Sequence, residues 1–486
     1  MKILFVSSEM NPLAATGGLG DVVGSLPQML RLKGHDARVI LPLYRPIKQE
    51  YFEDLTFVRW AMIKLGWRTM YSGLFRLDLD GLPVYLIDNE FYFGHDNLYI
   101  DYSFDIERFS FFQRAVLEAL GEEMDFEPDI LHLNDWQTGM IPVVLEAHYK
   151  AKGFHKNINS VMTIHNLKYQ GIHGRDNVQD LFDLPDSYMS EGGILKDGVP
   201  NFLKAGIQYS NRVTTVSPNY AKEIMTDYFG EGLNGLLAAQ GWKVTGILNG
   251  IDTKSYDPES DKEIASNYNA QAWKRGKATC KKALQAELGL AQEARTPLFV
   301  MVSRLVEQKG LDLLLHIVDE LLEEDIQLLV LGTGNPEYER RLTEAAGRHP
   351  DKMRSLIKFD SKLARRMYSA GDVYLMPSLF EPCGLSQMIA MRYGTLPIVR
   401  QTGGLADTVE AYNKFQHSGT GFGFLNINAH ELLFTAKEAI GVYKEHPDTW
   451  SNMVRSAMCK NFSWDKSADQ YINLYQDIMK ENVDLA

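Results

Sequence analysis

Two basic residues stand close together in the second half of the chain, directly after an apolar run. The stretch SRLVEQKG at 303–310 follows LFVMV and precedes a helical pattern that begins GLDLLLHIVDEL. Arg304 and Lys309 are five residues apart across this loop, so a guanidinium and an ammonium can converge on one anion. In a chain of net charge −13, such a pair indicates a site for a diphosphate. A solvated surface pair is the alternative.

A second stretch with the same order of strand, loop and helix is PSLFEPCGLSQMIAMRYG at 377–394. Gly384 and the N–H groups of Leu385 and Ser386 form a helix N-terminus suited to phosphate. Glu381 would repel a phosphate, so we expect it to accept hydrogen bonds from the hydroxyls of a neutral group such as a sugar. Cys383 has no adjacent His, and we expect it to pack rather than to act as a nucleophile.

A glycine pair followed by Leu, a small residue and Asp occurs twice, as TGGLGDVV at 16–23 and TGGLADTV at 402–409. Missing side chains let a ligand approach the backbone, and free N–H groups at a helix start attract anions. Both copies therefore indicate a phosphate or sugar site, with a tight strand-to-helix turn as the alternative. The residues concerned are Gly17, Gly18 and Asp21 in the first copy and Gly403 and Gly404 in the second.

Polar residues also follow two apolar runs of the first half, in HLNDWQTG at 132–139 and TIHNLKYQG at 163–171. We expect Asp135, Trp136 and His165 to gather at the sheet edge that carries the first glycine pair. A lone His is often a core residue with satisfied hydrogen bonds, but its position at a ligand edge favours function. A Ser, His and Asp triad is excluded because the chain has no GxSxG nucleophile elbow.

The elements that position these residues form two sets. Runs rich in Val, Ile and Leu, without polar alternation, predict strands buried on both faces of a parallel sheet. Two doubly wound α/β domains follow, with ligands beyond the carboxyl ends of the strands. If the domains face each other, both glycine loops line one cleft. The runs lie at 3–6, 37–42, 129–133, 160–165 and 212–217, and again at 297–303, 326–332, 355–359, 372–377 and 396–400.

The domain boundary is expected near TGILNGIDTKSYDP at 245–258, where a strand meets an Asn-Gly turn. This gives an N-terminal domain over 1–245, a C-terminal domain over 246–460 and a final helix over 461–486. In the tail FSWDKSADQYINLYQDIMK, apolar residues recur at helical spacing, so this helix needs a surface to lie against.

Composition excludes several function classes. With 50 basic against 63 acidic residues, nucleic acid is a poor partner. The five-residue apolar run near the start is too short for a signal-peptide core or a membrane span. Three cysteines without a CxxC pattern fit a reducing cytoplasm. Asp78 and Asp80 match a DxD metal pattern, but alternation around Asp-Gly favours a plain hairpin.

As a set, these motifs resemble those of bacterial glycogen synthases of the starch synthase type (glycosyltransferase family 5), retaining glucosyltransferases of the GT-B fold. The likeness also includes MKILFVSSEM, NGID, GTGF and FSWDKSA, so it covers nearly the whole chain. It implies transfer of glucose from ADP-glucose, or less often UDP-glucose, to the non-reducing end of an α-1,4-glucan such as glycogen or a maltooligosaccharide. It implies no cofactor, and the motifs call for no metal.

The resemblance also assigns roles to single residues. It implies that Arg304 and Lys309 hold the donor diphosphate, that Glu381 with Gly384 and Leu385 grips the glucose, and that the His165 carbonyl faces the oxocarbenium-like charge. The last helix would cross back to the first domain. On the same grounds we expect Asn166, Cys383 and Ser386 on the donor side and Asp135, Trp136, Tyr169 and Gln170 on the acceptor or sugar side.

Two positions depart from the family pattern. The family motif begins with Lys, as Lys-x-Gly-Gly-Leu, whereas this chain has Ala15. A lost charge-assisted hydrogen bond is worth roughly 1.5–3 kcal/mol, or about 10- to 100-fold in affinity, so we expect weakened use of the donor. Ile106 stands where relatives often have Asn, which affects expectations on the acceptor side.

Several alternatives stay open at this point. Ala15 allows a glucan-binding protein without catalysis, or a transferase for another nucleotide sugar. A phosphorylase would need a lysine for pyridoxal phosphate, and none is marked. Retention through a covalent glycosyl-enzyme needs a carboxylate on the β face, and no residue is clearly placed for it. We therefore expect a same-face displacement assisted by the departing diphosphate.

Overall fold

The computed structural model describes residues 1–121, 124 and 126–484. The chain divides into two compact units, one formed by Met1–Asn249 with Trp464–Ala486 and the other by Gly250–Ser463. We call them unit 1 and unit 2. None of the described helices combines the length and apolar character needed to cross a bilayer.

In the described part of unit 1, a nine-stranded sheet has the order β11-β10-β7-β6-β1-β2-β5-β4-β3. The central strand β1 pairs in parallel with both β2 and β6, and its residues Ile3 to Val6 are fully buried. This agrees with an apolar run covered on both faces. The strands are β1 (Lys2–Val6), β2 (Asp36–Pro42), β3 (Thr56–Leu65), β4 (Arg68–Leu79), β5 (Leu82–Asp88), β6 (Ile130–Asn134), β7 (Asn159–Ile164), β10 (Arg212–Thr215) and β11 (Val244–Gly246), and β8 (Leu195–Lys196) and β9 (Val199–Pro200) form a separate small pair.

One edge of this sheet is antiparallel. The strand β4 pairs with both β3 and β5, and β3 itself was not expected from the sequence. The turn after β4 contains Asp80 at φ 53° and Gly81 at φ 82°, and the Asp78 carboxylate accepts a hydrogen bond from the Gly81 N–H at 2.8 Å. The hairpin expected at the DxD pattern is thus confirmed, with Asp78 closing the turn.

Helices connect the strands of unit 1. They are α1 (Gly18–Leu32), α2 (Arg45–Glu50), α3 (Glu90–Phe93), α4 (Tyr102–Ala119), α5 (Ile141–Val144), α6 (Arg175–Phe182), α7 (Phe202–Tyr209), α8 (Pro218–Glu223) and α9 (Asn234–Ala239). Ile106 on α4 is fully buried. Its side chain therefore belongs to the core, and this departure from the family pattern does not alter an exposed surface.

The final helix, α18 (Trp464–Asp484), packs on unit 1. Lys33 forms salt bridges of 2.7 Å with both Asp465 and Asp469. On the inner face, Tyr475 is fully buried and its hydroxyl lies 2.5 Å from Nδ1 of His132. A buried large side chain stabilises by about 1.5–3 kcal/mol. The predicted surface for the tail is therefore unit 1. Residues 485 and 486 of the predicted 461–486 segment lie outside the described residues.

The sheet of unit 2 has six strands in its described residues and the order β14-β13-β12-β15-β16-β17, all paired in parallel. The predicted run at 355–359 begins two residues earlier, at Met353, and ends at Ile357. The strands are β12 (Leu298–Val302), β13 (Gln327–Gly332), β14 (Met353–Ile357), β15 (Val373–Met376), β16 (Leu396–Arg400) and β17 (Phe422–Phe424). The helices are α10 (Trp273–Glu287), α11 (Leu311–Glu323), α12 (Pro336–Arg348), α13 (Ser361–Ala370), α14 (Ser386–Arg392), α15 (Gly403–Thr408), α16 (Ala429–Glu445) and α17 (Pro447–Met458).

Each sheet has a point where the strand order reverses. In unit 1 it lies between β1 and β6, and in unit 2 between β12 and β15. Ligands of open α/β sheets bind beyond the carboxyl ends of the strands at such points. The loops that follow these four strands carry the first glycine pair, Asp135, Arg304 and Glu381.

Candidate functional site

In unit 2, Lys309 and Glu381 form a salt bridge. The Lys309 Nζ lies 2.6 Å from Oε2 of Glu381, and the two side chains are 15% and 9% exposed. The Ser378 hydroxyl donates to the same carboxylate oxygen at 3.1 Å. The carboxylate that the sequence placed beside a phosphate site is therefore neutralised by the neighbouring ammonium.

The loops that carry this pair are tied together by Gln308. Its backbone carbonyl accepts a hydrogen bond from the Leu379 N–H at 2.8 Å, and its side-chain amide donates to the Phe380 carbonyl at 3.1 Å. Gly310, at φ 71°, lets the backbone approach Pro377, because a Cβ there would lie 2.0 Å from the Pro377 carbonyl oxygen. The position of Lys309 is thus fixed relative to Glu381 by its two chain neighbours.

Arg400 braces the same loop from the end of β16. Its buried guanidinium donates to the carbonyls of Ser378 and Leu425 at 3.2 Å each and also to the carbonyl of Leu379. Sequence reasoning missed this residue. A cation directly after the apolar run LPIV is the signal that could have identified it, since a buried charge at a strand end needs partners.

Arg304 follows β12 and its side chain is exposed. Its backbone carbonyl accepts a hydrogen bond from the Val306 N–H at 3.0 Å, so the loop turns directly after it. The two predicted cations therefore differ in their surroundings: the Lys309 side chain is paired and largely buried, whereas Arg304 is exposed. An exposed guanidinium can bind an anion through two parallel hydrogen bonds without first leaving a buried position.

The second glycine pair is buried against the loop that carries Glu381. A Cβ on Gly403 would lie 1.9 Å from the Glu381 carbonyl oxygen, and a Cβ on Gly404 would lie 2.2 Å from the Cys383 carbonyl oxygen. The Gly404 N–H donates to the carbonyls of Glu381 and Pro382 at 3.0 and 3.1 Å. This corrects the expectation of a ligand cradle at Gly404, because its N–H is used within the protein.

The turn before α14 is held by a buried amide. Gln387 donates to the carbonyls of Cys383 and Gly384 at 3.2 and 3.0 Å and to the Thr408 hydroxyl at 3.1 Å. Gly384 has φ 72°, a left-handed backbone that favours glycine. Cys383 is buried, in agreement with the expected packing role. Leu385 and Ser386 at the helix start are half-buried.

The first glycine pair lies in a different environment. Gly17 and Gly18 are exposed, and a Cβ on Gly17 would meet no atom within 4 Å. Ala15 is also exposed, and its Cβ would lie 2.4 Å from a Cβ built on Gly20. The first copy is therefore open to a ligand, whereas the second copy is a packing element.

Two carboxylates support the first glycine turn. Glu9 is buried and accepts hydrogen bonds from the N–H and hydroxyl of Thr16 at 2.6 and 2.8 Å and from the Tyr99 hydroxyl at 2.6 Å. Asp21 accepts a hydrogen bond from the Asn11 side chain at 2.6 Å, and burial raises its pKa. Asp21, which was expected to face the donor, is therefore engaged in holding the turn.

Asp135 organises the loop that follows β7. Its carboxylate accepts a hydrogen bond from the His165 N–H at 2.7 Å and another from the Asn166 N–H. Burial raises its pKa to about 7, although the two N–H bonds act in the opposite direction. Asp135 itself has φ 55°, a strained backbone for a residue with a side chain. The structure thus brings Asp135 and His165 together as predicted from the strand ends, with the Asn166 N–H beside them.

The His165 side chain is half-buried, and its Nε2 lies 2.9 Å from Oδ1 of Asn134. Burial lowers the pKa of His165 to about 3. The ring is therefore neutral at physiological pH, because desolvation disfavours the imidazolium. Asn134 was not singled out from the sequence, where it reads as the last residue of a strand.

Two residues expected on the acceptor side are structural. Trp136 is only 5% exposed, and its ring lies among those of Tyr102, Phe109 and Phe202 at centroid distances of 6.3, 5.6 and 6.2 Å. The structure therefore places Trp136 in the core of unit 1, which differs from its expected place on the acceptor or sugar side. The aromatic cluster was not visible in the sequence because its members are distant along the chain.

Gln170 is buried as well. Its amide donates to the carbonyls of Leu167 and Glu231 at 3.2 and 2.9 Å and accepts from Asn201 at 2.6 Å. This corrects its assignment to the sugar side, since every polar atom of the side chain has a protein partner. Tyr169 in the same loop is 59% exposed and is free to stack on a ligand.

At the strand ends, unit 2 carries the cations Arg304, Lys309 and Arg400 beside the Glu381 carboxylate, whereas unit 1 carries the neutral His165 ring and the carboxylates of Glu9 and Asp135. Within residues 1–121, 124 and 126–484, no group of three or more His, Cys, Asp or Glu side chains is arranged to hold a metal ion.

Comparisons with known proteins decide the family. A model described as starch synthase catalytic domain matches residues 2–239, and a model described as glycosyl transferases group 1 matches residues 289–433. Glycogen synthase from Clostridioides difficile (strain 630) is 46% identical over 482 residues, which is 98% of this chain and 100% of the relative. This chain belongs to the glycogen and starch synthase family. Glycogen synthase from Clostridium perfringens (strain 13 / Type A) is also 46% identical, over 99% of each chain.

Solved structures place this synthase family member in the GT-B fold. The catalytic domain of starch synthase IV from Arabidopsis thaliana, bound to ADP and acarbose, has a TM-score of 0.90 at 34% identity over 99% of each chain. Sucrose-phosphate synthase from Thermosynechococcus elongatus has a TM-score of 0.63 at 18% identity and shares the fold. In this synthase, the first family model covers the exposed glycine pair, and the second covers Arg304, Lys309 and Glu381.

Proposed function

We propose that this glycosyltransferase is a glycogen synthase that transfers glucose from ADP-glucose to the non-reducing end of an α-1,4-glucan, with retention of configuration. The observation that carries the proposal is full-length identity of 46% to glycogen synthases. The chain also keeps Arg304, Lys309, Glu381 and His165, each in a loop that follows a parallel strand.

In the proposed donor site, Arg304 binds the diphosphate through its exposed guanidinium, and Lys309 contributes a second positive charge. These cations stabilise the negative charge that develops on the departing ADP. Glu381 holds Lys309 in place and offers its carboxylate to the glucose hydroxyls. The Lys309 ammonium is then shared between a carboxylate and a phosphate.

The proposed step is a same-face displacement. The glycosidic C1–O bond to the diphosphate breaks, the acceptor hydroxyl attacks the same face, and its proton passes to the leaving diphosphate. A covalent route needs a free carboxylate, but Asp135 is bonded to two backbone N–H groups and Glu381 to Lys309. Because the His165 ring is neutral, it adds no positive charge that would repel the oxocarbenium-like transition state.

Ala15 predicts weakened donor use in this synthase. It is exposed and precedes the open glycine turn by one residue. A Lys side chain at this position can therefore extend without displacing core atoms. Restoring the family cation should raise the affinity for ADP-glucose about 10- to 100-fold.

The experiment measures maltooligosaccharide extension with ADP-glucose, UDP-glucose and glucose 1-phosphate, for the natural chain, Ala15→Lys and Ala15→Met. We expect extension with ADP-glucose, a lower KM in Ala15→Lys, and no such gain in Ala15→Met, which has length without charge. Preference for UDP-glucose would correct the donor. No extension with any donor, even in Ala15→Lys, would refute a transferase and favour a glucan-binding protein.

A further inference from the structure

The side chain of Asn134 has a fixed orientation. It is fully buried at the end of β6, and its Nδ2 donates to the carbonyls of Val6 and His132 at 3.0 and 3.3 Å. An amide turned by 180° would point its oxygen at both carbonyl oxygens, and this acceptor–acceptor contact costs free energy in a buried site. The Oδ1 atom must therefore face His165.

This orientation determines where the proton of His165 resides. Oδ1 is an acceptor and lies 2.9 Å from Nε2 of His165, so Nε2 must donate. Burial keeps the ring neutral, and a neutral imidazole carries only one N–H. Nδ1 is consequently left as a hydrogen-bond acceptor.

The backbone on both sides of the contact is also held. The Asn134 N–H donates to the Thr138 hydroxyl at 2.8 Å, and the His165 N–H donates to Asp135 at 2.7 Å. The neighbouring strands β6 and β7 pair in parallel with Asn134 opposite Thr163, two residues before His165. Ring and amide can therefore shift little relative to each other.

We propose that Asn134 is a positioning residue for the transfer reaction, which fixes the His165 imidazole as the Nε2–H tautomer and orients Nδ1 as an acceptor. This inference rests on the proposed function in one respect, namely that His165 takes part in the reaction. With this tautomer the ring can receive a hydrogen bond from a hydroxyl group but cannot donate one from Nδ1. Neutral hydroxyls therefore suit it better than a phosphate oxygen.

The test combines nitrogen-15 NMR of histidine-labelled protein with kinetics. His165 is assigned by the signal that disappears in His165→Gln. We expect an Nε2–H resonance that exchanges slowly with water in the natural chain and is lost or exchange-broadened in Asn134→Ala. A nitrogen-15 chemical shift typical of an unprotonated nitrogen at Nε2, with the proton on Nδ1, would overturn the proposal. This outcome would be visible in the natural chain alone.

The matched control is Asn159→Ala. Asn159 is also buried and donates to backbone carbonyls, but at the start of β7. Asn134→Ala should lower kcat roughly 10- to 100-fold in the Ala15→Lys background, whereas Asn159→Ala should leave the His165 signal and kcat within about twofold of the parent. Unchanged kcat in folded Asn134→Ala would overturn the positioning role. If the natural chain extends no glucan, the proposed function fails, and the NMR measurement still decides the tautomer.

Discussion

The Lys309 ammonium lies 2.6 Å from the Glu381 carboxylate, and both side chains are largely buried. An ammonium in this position has two possible anionic partners in the proposed reaction, the carboxylate and the donor phosphate. In the proposed donor site, this pair couples the holding of the sugar to the holding of the diphosphate. It also offers a reason why a carboxylate is tolerated beside the proposed phosphate site.

Replacing Glu381 by Gln should separate these two functions. The ammonium then loses its charged partner, so ADP should bind about 3- to 10-fold more tightly. Glucose transfer should fall roughly 100-fold, because a neutral amide holds the sugar hydroxyls less strongly. Calorimetric titration with ADP and the chain-extension assay measure the two effects. Ser378→Ala, which removes one hydrogen bond but keeps the charge pair, is the control, and equal losses in both variants would contradict this coupling.

The two glycine pairs should respond differently to Ala. Gly404→Ala places a Cβ where the Cys383 carbonyl oxygen lies 2.2 Å away, and overpacking of this kind costs about 1–3 kcal/mol. Gly17→Ala meets no atom within 4 Å at an ordinary extended φ of −170°, so its stability should match that of the natural chain. Urea unfolding measures both. A stable Gly404→Ala would show that the loop at 381–384 does not depend on this contact.

Substitutions at Trp136 and Tyr169 should have different effects, the first on stability and the second on acceptor binding. Trp136→Ala removes a core ring and should cost about 3–5 kcal/mol of unfolding free energy. Tyr169→Ala changes an exposed side chain, so stability should shift by less than about 0.5 kcal/mol, while KM for maltooligosaccharides rises roughly fivefold. A stable Trp136→Ala that loses acceptor affinity would contradict the core role and support the sugar-side assignment made from the sequence.

His132 should make stability depend on pH. Burial lowers its pKa from 6.5 to about 3, so the unfolded chain binds a proton that the folded chain excludes. Its stabilising contribution is complete above pH 6.5 and is lost as the pH falls toward 3, by about 1.4 kcal/mol per pH unit. His165 acts in the same direction, and Asp135, whose pKa is raised to about 7, acts in the opposite one.

His132→Asn removes this titration and leaves the other two groups in place. Its free energy of unfolding should be lower at pH 7.5, because the contacts with Tyr475 and Thr163 are lost. Between pH 6.5 and 5, its free energy of unfolding should fall less steeply with decreasing pH than that of the natural chain. The difference in slope should correspond to about one bound proton. Urea titrations over this range measure the slopes, and parallel slopes would show that His132 is already protonated in the folded state.

The fold could be predicted because its strands are buried on both faces and therefore appear as continuous apolar runs. The loops after β1, β6, β12 and β15 could be placed for the same reason, since parallel strands end at one edge. The antiparallel β3 was missed because several of its residues are exposed, such as Trp60 at 59% and Met62 at 52%. Its pattern lacks the continuous apolar run by which strands such as β1, β6 and β12 were recognised.

The site was predictable only as a set of residue types. The two glycine pairs have similar sequences, yet their environments differ because Gly403 and Gly404 meet a backbone segment about twenty residues earlier. Asn134 and Arg400 act through bonds to carbonyls of distant residues, which no local pattern records. Trp136 was expected on the acceptor or sugar side because the rings that pack on it, those of Tyr102, Phe109 and Phe202, are distant along the chain.

The central claim is that Arg304 binds the donor diphosphate. Calorimetric titration of ADP into the natural chain, Arg304→Gln and Arg341→Gln tests it most directly. Arg341 is a half-buried arginine of unit 2 that pairs with Asp312 at 3.2 Å, and it serves as the control. We expect ADP affinity to fall about 10- to 100-fold in Arg304→Gln and to stay unchanged in Arg341→Gln. Equal affinity in all three proteins would contradict the account.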